Sequence, residues 1–379
     1  LQAARRTEPV QQPREIFARA TESRPRVPGP RGYGARMAPL KVDVRLAESV
    51  LGAAERAQVL ERLGVDGAFT FEGPHDVFLP LAAAAPVCSL DLYTNVAIAF
   101  PRSPMHLAHT AYDLQLLSSG RFRLGLGSQV RAHIQHRYGS TWERPVHKMR
   151  EWVLATQAIL GAWQDGTPLD FRGEHTRHTL MTPAFDPGPN PFGAPPVLVG
   201  ALGPKMTEMA AEVADGLLVM PFNSATHMAE RTVPAIERGL ATAGRTWDDL
   251  EVTVEVIAGV GRTDEELVAA DIVRGIVAFY GSTPSYRPVL DAHGWGDLQP
   301  ELNRLSKAGD WSTMMALVDD DLLHTIAVIG TPEECAREII ARYGAWADRV
   351  CVYFPGYEVA DETIADLTAA LHTQGSGRT

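Results

Sequence analysis

Chemistry-bearing side chains gather at a few points of this sequence. Glu72 and His75 lie three apart, directly after the apolar run 67–71. An imidazole changes charge near neutral pH and can give up a proton, and a neighbouring carboxylate can take or return one. The stretch Gly200-Ala201-Leu202-Gly203-Pro204 joins an apolar run to a segment of helical period. Free N–H groups at such a helix start, with the helix dipole, can hold a phosphate without any basic side chain. Gly125, Gly127, Ser128 and Gln129 close another apolar run, where glycine permits close backbone approach. Tyr138, Trp142, Phe222, Tyr286 and Trp295 offer aromatic wall for a small-molecule pocket. Plainer roles stand beside each of these: a loop histidine bonded to backbone, a capping acid, an ordinary strand-to-helix turn, aromatic core packing. No metal site is indicated. Asp319-Asp320-Asp321 are consecutive, so on a helix their carboxylates diverge, and they read as a solvated loop or helix start.

Composition narrows the partners. A formal charge of -11 over 379 residues argues against a chain built to grip nucleic acid. Cys88, Cys335 and Cys351 are far apart, without the pairing of zinc ligands or a disulfide framework, so a reducing, cytoplasmic setting is expected. No stretch reaches the roughly 18–20 apolar residues of a membrane helix, and no membrane partner is expected. Residues 1–36 carry eight arginines, three glutamates and several prolines with no apolar period. They are expected to form a disordered tail, with Met37 as the functional start.

These groups need elements to position them. From residue 41 onward, short apolar runs alternate with longer segments of helical period, the pattern of parallel strands joined by crossover helices. Strands are expected at 41–46, 67–71, 92–100, 122–126, 196–200, 216–220, 251–260 and 349–354. Eight is the number that closes a (β/α)8 TIM barrel, whose chemistry sits at the C-terminal ends of the strands. Helix starts are marked by Ser103-Pro104 and by capping boxes at Thr263/Glu266 and Thr331/Glu334. The expected organisation is one barrel over 37–372, with excursions after the fourth strand (164–195, containing a hairpin) and the seventh (281–325), and a flexible end at 373–379.

The span 100–139, FPRSPMHLAHTAYDLQLLSSGRFRLGLGSQVRAHIQHRYG, resembles the core motif of the luciferase-like family. PPVLVGALGPKMTEMAAEVADGLLV at 195–219 and GTPEEC at 330–335 are similar to that family's phosphate turn and to the segment before its last strand. FEGPHDVFLPLAAAA at 71–85 and the AFPRSP segment resemble the deazaflavin-dependent branch. The resemblance implies a barrel holding coenzyme F420, with FMN, used by a branch sharing the same barrel, as the alternative. It implies an acid and a histidine, Glu72 and His75, beside the reactive ring. It also implies a bulge at Thr94-Asn95-Val96, with a non-proline cis peptide at Asn95-Val96, that presses against the back face of the cofactor ring, and a homodimer. Gly127, Ser128 and Gln129 would contact the cofactor, and Gly200 to Pro204 its phosphate. Relatives often carry an acid just after the glycine turn; here the residues are Gln129-Val130-Arg131, which implies a different substrate or proton route. Arg131, His133 and Arg137 are candidates to meet an anionic group. The expected activity is hydride transfer between F420 and a small organic substrate. The alternatives are an FMN-dependent two-component monooxygenase and a non-catalytic flavin-binding barrel.

Overall fold

The computed structural model describes residues 39–46 and 49–376; the expected tail, Met37 and residues 377–379 lie outside them. Eight parallel strands close on themselves: β1 (Lys41–Arg45), β2 (Gly67–Thr70), β3 (Asp91–Thr94, resuming as Ala97–Ile98), β4 (Phe122–Gly127), β5 (Val197–Ala201), β6 (Gly216–Val219), β7 (Glu251–Val260) and β8 (Arg349–Tyr353). Each pairs with the next, and Asp43 of β1 lies opposite Cys351 of β8 to shut the ring. With flanking helices this is the expected (β/α)8 barrel. A short extra strand, Val328–Gly330, extends the outer end of β7 through the pair Ala258 and Val328; three residues gave too little pattern to be legible.

Successive side chains of a strand face opposite ways, and both faces of these strands are buried. Outward residues such as Val42, Val44, Ala68, Leu92, Val252, Val254, Val350 and Val352 pack against the helices in the main core. Inward residues Phe69, Tyr93, Leu198, Leu218 and Cys351 form a separate plug inside the ring, with Val96 against it. At the N-terminal side of that plug, Arg349 grips both carboxylate oxygens of Asp43, at 2.6 and 2.7 Å, and reaches Asp91 at 2.8 Å. The Tyr93 hydroxyl donates to Asp43 at 2.9 Å. Such a buried charge pair is tolerated because its lone pairs and protons are satisfied.

The expected helix signals act as chemistry dictates, with one variation. Ser103 caps the helix Pro104–Leu117 by accepting from His106 N. Thr331 and Glu334 form a complete capping box. Thr263 accepts from Glu266 N, but the Glu266 carboxylate takes the N–H of Arg262, so this cap is shared with a neighbour. Asp319 caps the helix Asp320–Ile326, and Asp320 pairs with Arg274 at 2.8 Å. The C-terminal helix Asp361–Gly375 runs three residues past the expected boundary.

Both excursions are structured. Within 164–195, Phe171–Arg172 and Arg177–His178 pair antiparallel as the expected hairpin. The second excursion is helical and begins earlier than expected, at Val273–Gly281, continuing through Arg287–Asp291, Leu298–Ala308, Trp311–Ala316 and Asp320–Ile326. Its Val277, Leu290, Leu302 and Leu322 build a second apolar cluster that includes Phe222, after β6, and Ile257 of β7. This small helical layer therefore caps the β6–β7 side of the barrel's C-terminal rim.

Candidate active site at the barrel mouth

Above the inward plug the barrel opens. Two residues further along the same inward face come Phe71, Asn95, Gly200, Met220 and Tyr353, and every one of them regains solvent access, whereas the plug residues have almost none. A filled interior with an accessible upper layer is a mouth with a floor.

Three turns meet on that floor. The Asn95–Val96 peptide bond is cis, the isomer the resemblance implied. Thr94 staples β3 to β4: its hydroxyl donates to Gly125 O at 2.7 Å and accepts from Gly125 N at 3.0 Å. Val96 then projects over the neighbouring strand ends. A Cβ on Gly127 would lie 2.2 Å from Val96 Cγ2, and one on Gly200 would lie 2.9 Å from Val96 Cγ1. Glycine at both places is thus required by the bulge. The turns closing β3, β4 and β5 form one continuous surface.

Beside this surface, Gly203 is the N-cap of the helix Pro204–Val213 and provides no side-chain cap. A Cβ built on Gly203 meets nothing within 4 Å. Proline at the first helical position removes one donor, and Met206 N and Thr207 N both donate to Gly203 O at 3.1 Å. Among the described residues the N–H groups of Gly203 and Lys205 are therefore the ones left at this helix start, beside the open space at Gly203. Leu202 leans on the helical layer, and Lys205 is exposed. After β4, the Ser128 hydroxyl donates to Gln129 O. Gln129 has φ 56°, a left-handed conformation uncommon outside glycine, and its own side-chain oxygen accepts from Val130 N at 2.9 Å.

Glu72 and His75 are placed very differently. The Glu72 side chain is 7% exposed and accepts from three donors: Ile98 N at 2.7 Å, Arg102 Nη1 at 2.6 Å and the Tyr138 hydroxyl at 3.0 Å. It braces the second half of β3 and the 128–144 loop. His75 is exposed on the loop before the helix Leu79–Ala84. The aromatic candidates divide into two walls. Tyr138 stands beside Glu72, and Trp142 packs edge-on to Phe100. Phe222, Tyr286 and Trp295 belong to the helical layer opposite, where Phe222 contacts both Tyr280 and Tyr286.

One acid escaped sequence reasoning. Glu255 lies on β7 opposite Cys351 of β8, at the floor of the mouth. Asn95 Nδ2 donates to its Oε2 at 3.0 Å. Burial pushes its pKa up to about 8, against the Asn95 hydrogen bond and the Arg45 charge, which pull it down. At neutral pH it is therefore mostly a neutral acid. Tyr280 and Tyr353 bond to each other nearby, and burial with Tyr353 and Glu255 as neighbours drives the Tyr280 hydroxyl well above its usual range. The available signal was the carboxylate within the apolar run EVTVEVIAGV, at an inward position.

A closed barrel with converging turns and an open polar floor at its C-terminal rim belongs to the class that handles small molecules there. Residues 34–349 match the luciferase-like monooxygenase family, and the chain belongs to it. It is 48% identical over 317 residues to an uncharacterised protein of Mycobacterium tuberculosis, covering 83% of this chain and 93% of that one. It is 30% identical over 246 residues to a 5,10-methylenetetrahydromethanopterin reductase of Archaeoglobus fulgidus, covering 62% of this chain and 68% of the relative. Among solved structures, the coenzyme F420-dependent tetrahydromethanopterin reductase of Methanopyrus kandleri has a TM-score of 0.74 at 21% identity, covering 89% and 99% of the two chains. An EDTA monooxygenase of Chelativorans gives 0.66 at 14% identity, covering 90% and 96%. At these identities the two structures share the fold. Among the described residues no helix is long and apolar enough to cross a membrane.

Proposed function

We propose that the chain is an oxidoreductase that passes a hydride between coenzyme F420 and a small organic substrate. The observation that carries this reading is Val96 lying against Gly127 and Gly200, which merges three rim turns into one platform beside an uncapped helix start. The F420-like motifs at 71–85 and 99–104 and the reductase relative from Archaeoglobus fulgidus support the deazaflavin over FMN. The residues fit such a cofactor: an open Gly203 with the N–H groups of Gly203 and Lys205 beside it suits its phosphate, and Val96 with its glycine neighbours presents an apolar ledge for a flat ring. When bound, the deazaflavin supplies the hydride chemistry.

The protein's own part is to position and to hold a proton. Asn95 donates to Oε2 of Glu255, so the proton of the neutral acid resides on Oε1. Glu72 keeps the 128–144 segment in place through Tyr138, and His75, exposed at the rim, is the candidate proton donor to the substrate. Tyr138 and Trp142 on one side, Phe222, Tyr286 and Trp295 on the other, exclude water from a substrate between them. A homodimer, as the resemblance implies, in the cytoplasm, in keeping with the three scattered cysteines, completes the proposal.

The test is a titration of the purified chain with F420 and with FMN, each oxidised and reduced, followed by fluorescence. Micromolar binding of F420 that weakens at least tenfold in Gly203→Val supports the reading. Tighter binding of reduced FMN with oxygen consumption would replace it by the monooxygenase alternative, which the family's own description favours. Tight F420 binding without turnover of alcohols, aldehydes or unsaturated ketones would leave a carrier barrel.

A further inference from the structure

The start of the long helix Pro145–Asp165 and the hairpin of the first excursion bring four ligand-type side chains together. His147 and Glu151 lie one helical turn apart, and Glu174 and His175 sit in the hairpin turn. Each offers a ligand atom, and the four atoms lie within 4.8 Å of one another. Tetrahedral zinc ligands at about 2.0–2.2 Å from the ion stand about 3.3–3.5 Å apart, so side-chain adjustments of about 1 Å close the set.

The polar bookkeeping here has gaps that a cation fills. His175 has a side chain only 9% exposed, and its Nε2 is buried without a hydrogen-bond partner among the described residues. Nδ1 of His147 is in the same condition: it lies 3.4 Å from Glu151 Oε1 but not in bonding geometry. Leaving two imidazole nitrogens dry and unpaired is costly. Glu151 is itself buried, and its carboxylate accepts from Glu174 N at 2.9 Å and His175 N at 2.8 Å. Those bonds orient it without using the imidazoles. Gly173 makes the approach possible, because a Cβ there would lie 2.1 Å from Glu151 Oε2. Glu174, exposed and paired with Arg144 at 2.6 Å, is the fourth arm, able to swing between that arginine and an ion.

We propose that His147, Glu151, Glu174 and His175 bind a divalent transition-metal ion of the zinc class, which pins the hairpin onto the helix. Two imidazoles with carboxylates suit zinc and its neighbours, while magnesium and calcium select all-oxygen sets. The ion joins the first excursion to the start of the helix that follows the 128–144 loop, and so stiffens one wall of the mouth from outside. None of the four residues belongs to the cofactor platform, and the test needs no cofactor.

The test uses the tag-free full chain, stripped with EDTA and dialysed against zinc chloride, with metal content measured by mass spectrometry and affinity by chelator competition. One zinc per chain with a micromolar or tighter Kd, and a rise of several degrees in Tm, is expected. His147→Ala/His175→Ala should weaken binding at least 100-fold, while His136→Ala, exposed and elsewhere, should leave it unchanged. If the double variant fails to fold, the wild-type chain loaded with cobalt(II) still decides: the intense visible bands of a four-coordinate nitrogen and oxygen site support the assignment, and a weak octahedral aquo-type spectrum overturns it. Absence of stoichiometric zinc at micromolar concentration, or zinc binding unchanged in the double variant, also overturns it.

Discussion

The side-chain amide of Asn95 donates to Oε2 of Glu255 at 3.0 Å, tying the bulge of β3 to β7 across the barrel mouth. Because burial lifts Glu255 to about 8, this bond is made to a neutral acid over most of the working pH range. In the unfolded chain the same group titrates near about 4.3. Between those values the folded state keeps a proton that the unfolded state has lost. Stability therefore falls as pH rises from about 4.3 to about 8 and levels off above. Glu255→Gln keeps the shape and the acceptor but cannot ionise, so its Tm should decline less than the wild type's over pH 5–8 and should be the higher of the two at pH 8.5. Parallel Tm curves would show that Glu255 is ionised in the fold.

Gly127 and Gly203 separate the demands of the fold from those of a ligand. Gly127→Ala drives a methyl group to within 2.2 Å of Val96 Cγ2 and should cost about 1–3 kcal/mol of stability through overpacking. Gly203→Ala enters open space at φ -74° and should leave Tm nearly unchanged. Its cofactor affinity should nonetheless fall severalfold, since the new methyl occupies the approach to the helix start. Urea denaturation and F420 titration of both variants check this. Loss of stability in Gly203→Ala with unchanged affinity would move the phosphate elsewhere.

Glu72 and His75 should respond oppositely to truncation. Removing the Glu72 carboxylate leaves Ile98 N and the Tyr138 hydroxyl without their acceptor and the partly buried Arg102 guanidinium with Ile98 O at 2.9 Å and Asp76 at 3.9 Å in place of its close ion pair, so Glu72→Ala should cost about 2–4 kcal/mol. The exposed His75 should be replaceable by alanine within about 0.5 kcal/mol. Any loss of turnover in His75→Ala would then be chemical in origin. Stability by urea denaturation and turnover, measured side by side, make the distinction.

Much of the barrel was legible because buried parallel strands are written as apolar runs of fixed length. β7 at residues 251–260 has the expected bounds, and the other strands deviate by one or two residues, apart from the break in β3. The platform was legible only in part. Gly127 and Gly200 stand out in sequence, yet their reason, the methyl groups of Val96, is a contact between strands that no local pattern encodes. Glu255 was hidden because one acid in an apolar run does not announce which neighbour satisfies it. His147 and Glu151, a turn apart, are ordinary helix-surface residues until the hairpin delivers Glu174 and His175 from over twenty residues away. The helical layer over β6 and β7 read as an interruption, since its short helices carry too few turns for a clear period.

His227 supplies a second pH dependence, opposite in sign to that of Glu255. Its ring is almost wholly buried after β6, with Nδ1 2.9 Å from the Asn223 side-chain oxygen. Burial lowers its pKa to about 4, and the charges of Arg231 and His293 push the same way. In the unfolded chain it titrates near about 6.5. Between pH 6.5 and 4 the unfolded state binds a proton that the folded state refuses. The contribution is present in full above about 6.5 and is lost as pH falls toward 4. His227→Asn retains a donor where Nδ1 stood and cannot take up that proton. The variant should be less stable than the wild type at pH 7, because the smaller side chain leaves a cavity, and the gap should narrow steadily as pH falls to 4.5. Urea denaturation at pH 7, 6, 5 and 4.5 measures it, and a constant gap would mean that the imidazole can charge in place.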